Sequence, residues 1–202
     1  MAVWVVRAGS KGESEDLALD QGLVAIGWED LPDLAAIRSK EELSDICRKT
    51  YPDAKPANIA SSVGQCWAFA HGIQVGELVV LPLKWRAAVA VGRVTGPYGY
   101  RRDLPPDAYH TRPVEWIRKD VPRSAFDQEI LFSLGGRSTV FQIQREHAEE
   151  RILAAVGGHQ LPVALVPSSV SEVGVPTELQ LPPDLEEFAH DQIRAHIART
   201  FR

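Results

Sequence analysis

"GELVVLPLKWRAAVAVGRVTG", residues 76–96, holds two Val- and Leu-rich runs separated by Lys84, Trp85 and Arg86. Each run is too short for a typical helix and rich in residues that suit a pleated surface, so the pair predicts two antiparallel strands closed by a short loop carrying Trp85. Further strands are expected around this hairpin. "AVWVVR" (2–7), "LVAIGW" (23–28), "RPVEWIRKDVP" (112–122) and "RSTVFQI" (137–143) have the same character. In the third of these, Val114 and Trp116 fall on one face and Glu115 and Ile117 on the other.

Helices are signalled between and after the strands. Ser39 with Glu42 forms a capping box opening a helix through Thr50. Ile59, Val63, Cys66, Trp67 and Ala70 recur at the spacing of one helical face, with Gly72 as the stop. "REHAEERILAAVG" (145–157) places Ala148, Ile152 and Val156 on one side of another helix. The pattern predicts an α+β fold: a small twisted, barrel-like sheet of about five or six mostly antiparallel strands with flanking helices.

The chain has 202 residues, 45% of them apolar and 24% charged, the composition of a globular protein. No run approaches the length of a membrane span, and "MAVWVVRAGSKG" lacks the basic start of a signal peptide. A cytoplasmic location without a membrane partner is expected. Cys47 and Cys66 show no zinc spacing and read as reduced core thiols. Formal net charge is −5, yet residues 84–123 hold nine Lys/Arg against four Asp/Glu, while residues 1–83 hold seven against twelve. Such asymmetry can steer a polyanion to one face.

From about residue 158 the composition changes. "HQLPVALVPSSVSEVGVPTELQLPP" has five of the fourteen prolines and no Lys or Arg, which predicts a semi-rigid linker over 158–183. "DLEEFAHDQIRAHIARTFR" then predicts an amphipathic helix over 184–202, with a stripe from Leu185 to Phe201 suited to a homodimer or partner contact.

Enzymatic motifs are sparse. There is no GxSxG, HExxH or P-loop, and the glycines of "VGRVTGPYG" do not open a helix as a dinucleotide fingerprint requires. Cys66 and His71 lack an orienting acid. Asp53 and Lys55 sit in a proline-bounded loop unsuited to a magnesium site. These residues are expected to hold no catalytic group, metal or cofactor. The aromatics say more. Trp4, Trp67 and Trp116 fall on apolar faces and read as core. Trp28, Trp85, Tyr98 and Tyr100 fall at strand ends or in loops beside Gly, Pro, Lys or Arg, where ring faces can hold a planar ligand such as an unstacked base.

In order along the chain, "AVWVVRAG", "AIGWEDLPDL", "VGELVVLPL", "AVAVGRVTGPYGYRRD" and "HTRPVEWIRKDVPRSAF" resemble the EVE-like branch of the PUA superfamily, related to YTH domains. More narrowly, residues 2–157 resemble the N-terminal recognition module of Mrr-type, modification-dependent (type IV) restriction endonucleases. The resemblance implies a PUA-like domain over 1–157 that binds double-stranded DNA and flips a methylated base into an aromatic pocket. It implies Trp28 as one wall, Tyr98, Tyr100 or Tyr109 as the other, and Ser10 and Lys11 as readers of the base edge. Gly136, Arg137 and Ser138 match a phosphate-contacting segment, and Arg101 and Arg102 add basic contacts. It further implies a magnesium-dependent nuclease domain following the 184–202 helix. Binding of a modified ribonucleotide in RNA, or a purely protein-interaction role, are the alternative expectations.

Overall fold

The computed structural model describes residues 1–158; the helix expected over 184–202, and the predicted linker from residue 159 onward, lie outside them. In chain order the strands are β1 (Val3–Val6), β2 (Leu23–Ile26), β3 (Leu78–Pro82), β4 (Ala88–Val94), β5 (Gly99–Tyr100), β6 (His110–Pro122) and β7 (Val140–Gln142). The α-helices are α1 (Glu15–Gln21), α2 (Lys40–Thr50), α3 (Pro56–Trp67), α4 (Gln128–Leu134) and α5 (Ala148–Val156). A π-helical turn over Ala68–Gly72 extends α3.

The strands form one curled mixed sheet in the order β2–β6–β4–β3–β1–β7, with β5 alongside β6. The fold is therefore α+β. The sheet has seven strands rather than five or six, and β1 and β3 run parallel while every other pairing is antiparallel. The predicted hairpin is present: Leu78–Pro82 pairs with Val89–Arg93, and Leu83 N–H donates to Ala88 O at 3.1 Å to close the turn.

Strand β6 organises the sheet because it is long enough to serve two partners along its length. Its first residues, His110 to Pro113, lie between β2 and β5, and its remainder pairs with β4. Register shifts against β4 around Val91 mark a bulge, and bulges bend and twist the strands that carry them. Gly92 lies at that point. A Cβ added there would stand 2.6 Å from Val114 Cγ1 and 2.7 Å from Glu115 O, so only glycine lets the two strands approach.

Both faces of the sheet are covered, which explains the unbroken apolar runs in β1 and β3. Val3, Val5, Leu78, Val80, Val89 and Val91 pack with Ile130 and Leu134 of α4 and Ile152 of α5. The opposite parity, Trp4, Val6, Val79 and Val94, joins Val24 and Ile26 of β2 against Leu43 and Cys47 of α2 and Ile59, Val63 and Cys66 of α3. Both cysteines are buried free thiols. Ser39 Oγ accepts Glu42 N–H at 3.1 Å as the capping box predicts, but Glu42 returns to Arg38 N–H at 2.9 Å rather than to Ser39.

Helices α1 and α4 carry no clear signal in the sequence, since seven residues span only two turns. No helix among the described residues is long and apolar enough to cross a membrane. Gly92→Ala is expected to destabilise the protein by about 1–3 kcal/mol through overpacking. Gly64→Ala, in α3 with nothing within 4 Å of the added carbon, should stabilise it, by about 0.5–1 kcal/mol. Urea unfolding of the two variants checks both signs.

Candidate functional site

A cavity of about 430 Å³ is lined by the segments that follow β2 and precede β7, the two end strands of the sheet. Gly27, Trp28, Glu29 and Asp30 line it directly after β2, Thr139 directly before β7, and Gly9 from the loop after β1. Tyr51 and Ala54 come from the corner between α2 and α3, and Asn58, Ile59 and Ser62 from α3 itself. The C-terminal end of the helix and the turn that follows it are fixed from two directions along the chain, before β7 and in β6. Gln65 Oε1 accepts Thr139 N–H at 2.7 Å and Val140 N–H at 3.1 Å, while buried Arg112 of β6 donates to Phe69 O at 2.6 Å and Ala70 O at 2.8 Å in the π-helical turn.

Trp28 has φ 67°, a left-handed conformation that costs a bulky residue roughly 1–3 kcal/mol. What holds it there is a buried relay. Trp28 O accepts Leu31 N–H at 2.9 Å, closing a turn that leaves Glu29 and Asp30 exposed. The same carbonyl accepts His110 Nε2–H at 3.2 Å. A carbonyl can only accept, so the His110 proton is on Nε2 and Nδ1 is left to accept Tyr98 Oη–H at 2.7 Å. Tyr98 Oη in turn accepts Leu34 N–H at 3.1 Å, and His71 Nε2–H donates to Leu34 O at 3.1 Å. Tyr100 Oη–H reaches Leu31 O at 3.5 Å. Residues 28–34 thus form a strap bound down at Trp28, Leu31 and Leu34.

This changes the reading of the tyrosines. Neither Tyr98 nor Tyr100 lines the cavity; both sit under the strap, Tyr98 with its ring 6.0 Å from His110 and Tyr100 with its ring 5.2 Å from the same imidazole. Their hydroxyls find buried backbone partners, and burial raises the Tyr98 pKa above that of a free phenol. Tyr109 packs edge-on against Tyr100 with centroids 5.9 Å apart and is likewise absent from the lining. The aromatic facing the cavity with Trp28 is Tyr51. Its hydroxyl is pushed up to about 12 by burial and by the charges of Asp30 and Glu29.

The other expected residues are dispersed. Trp85 is 79% exposed at the hairpin tip and takes no part in the lining. Arg101 is paired with Asp103 at 2.6 Å and is largely neutralised, while Arg102 is exposed on the same turn. Ser10 Oγ donates to Glu13 at 3.2 Å, which turns it toward its own loop rather than toward the cavity. Lys11 and Arg137 each lie two residues from a lining residue, Gly9 and Thr139 respectively, and Ser138 adjoins Thr139. Lys55 adjoins Ala54. Lys11, Lys55 and Arg137 are exposed and belong to none of the ion pairs among the described residues. Three exposed cations on three segments thus lie within two residues of the lining without belonging to it.

Residues 4–143 match the family described as a domain of unknown function (DUF8426), and the chain belongs to that family. The matched span contains every residue that lines the cavity. No curated protein matches the chain.

Burial holds His110 below its ordinary value of 6.5, outweighing the opposing pull of the Trp28 carbonyl and of Asp33. An unfolded chain protonates this imidazole near 6.5 while the folded one resists, so its contribution is complete above that value and declines as pH falls toward the folded pKa. Urea midpoints at about pH 7.5 and about pH 5.5 should show a larger loss for the wild type than for His110→Gln. Equal losses would remove His110 from the account.

Proposed function

We propose that the domain binds DNA bearing a methylated base and receives that base, turned out of the duplex, between Trp28 and Tyr51. The observation that carries this reading is the cavity itself. It has two aromatic walls, a volume within the range of small-ligand pockets, and unpaired cations only outside it. A flat ring fits such walls, and a phosphodiester fits such a rim. The resemblance to PUA-like, EVE-type modules supports the same reading, as does the curled sheet with helices on both faces. On that resemblance, the domain would direct a Mrr-type nuclease to modified DNA.

Magnitudes favour a modest binder. Stacking on aromatic rings supplies about 1–3 kcal/mol per base, and extruding a base costs a few kcal/mol. The two roughly cancel, leaving Lys11, Lys55 and Arg137 to hold the phosphates. Three such contacts imply a slope of about −2.7 for the logarithm of the binding constant against that of salt. Discrimination of one methyl group in a filled pocket is worth about 0.8 kcal/mol, or about fourfold.

Fluorescence titration of methylated and unmethylated duplexes tests this. Trp28→Ala and Tyr51→Ala should each weaken binding of the methylated duplex about 5- to 100-fold, with little effect on the salt slope. Lys55→Ala should leave the methyl preference intact and reduce that slope by about 0.9. Equal affinity of all these proteins for both duplexes would exclude the assignment.

A further inference from the structure

Of the side chains lining the cavity, the two that carry formal charge are Glu29 and Asp30, and neither is in an ion pair or hydrogen bond among the described residues. Among the described residues, no Lys, Arg or His lines it. A pocket evolved for a neutral base alone has no use for two uncompensated carboxylates, which repel the approaching phosphates. A positively charged ligand does. The ring faces of Trp28 and Tyr51 attract a cation through their quadrupoles, and the carboxylates add to that field. The field reaches the wall, since Asp30 and Glu29 both oppose ionisation of Tyr51.

We infer that the pocket is selective for a cationic methylated base, one alkylated on a ring nitrogen, such as 3-methylcytosine or 1-methyladenine. This rests on the base-binding reading above and names its ligand class. The charge order across the site supports it: aromatic rings and carboxylates inside, and Lys11, Lys55 and Arg137 on three segments outside. The complementary ligand has a positive head on a polyanionic chain. A methylated lysine in a basic peptide would satisfy the interior but meet repulsion at the rim, so nucleic acid is the better match.

Constitutional isomers isolate the charge. 3-Methylcytosine and 5-methylcytosine have the same heavy atoms and nearly the same size, but only the former holds an extra proton and is a cation at neutral pH; 1-methyladenine and N6-methyladenine form a second such pair. Single-stranded oligonucleotides carrying one of these bases at the same central position remove the difference in duplex stability. The full chain should bind each cationic isomer about tenfold more tightly than its neutral counterpart. The double variant Glu29→Gln/Asp30→Asn alters two exposed side chains, so the fold should persist, as its melting curve will show. In it the isomer ratio should fall to near one, through weaker binding of the cationic isomer and, with the repulsion of the phosphates relieved, tighter binding of the neutral one.

If the isomers bind equally, or the neutral one better, while Trp28→Ala weakens both, the cationic selectivity is overturned and the base-binding reading survives. If no modified oligonucleotide binds, either as a single strand or as a duplex, both are overturned. A trimethyllysine peptide run in the same assay and bound in preference to every oligonucleotide would likewise overturn both and assign the cage to a protein ligand.

Discussion

A single imidazole holds the site in shape. His110 lies fully buried at the start of the strand that organises the sheet, and its two nitrogens join elements far apart in the chain: Trp28 after β2 and Tyr98 before β5. Every group in the relay is satisfied with the imidazole neutral. The neutral Nε2–H tautomer donates to Trp28 O and accepts from Tyr98, and Tyr98 is then free to accept from Leu34 N–H. Leaving one such buried group unpaired costs about 1–3 kcal/mol, comparable to the backbone strain at Trp28. The relay is therefore strong enough to keep an indole in a conformation its own backbone disfavours, at the edge of a cavity.

The second layer of organisation is electrostatic. Acidic groups occupy the turn that the relay presses into place, whereas the exposed cations Lys11, Lys55 and Arg137 lie one or two residues from the lining on different segments, Lys11 within reach of the Glu13 charge. Some basic residues elsewhere are paired with carboxylates, as Arg101 with Asp103, Arg118 with Asp120 and Arg151 with Asp127. An overall charge of −5 thus conceals a local pattern in which the rim can attract a polyanion that the molecule as a whole repels.

Much of the fold is legible in the sequence because covered strands and amphipathic helices leave periodic marks. The β3–β4 hairpin, β6, α2 and α3 fall where their patterns put them. The short helices α1 and α4 do not, because two turns give too few repeats to establish a period. The site is legible at Trp28 and hidden elsewhere. An aromatic beside glycine can wall a pocket or anchor a strap, and local sequence cannot tell which way its hydroxyl turns; Tyr98 and Tyr100 anchor. Tyr51 had a usable signal, an aromatic in the proline-bounded corner "TYPDAKP" between two helices. His110 had none, since its two partners are brought to it only by the curl of the sheet.

The central claim is that Trp28 and Tyr51 together enclose a base. The most direct measurement is the set of nuclear Overhauser contacts made by the methyl protons of a bound methylated base. Contacts are expected to the ring protons of both Trp28 and Tyr51 and to no ring of Trp85 or Tyr98. Methyl contacts to Trp85 or Tyr98 instead, or to neighbouring stacked bases alone, would contradict it.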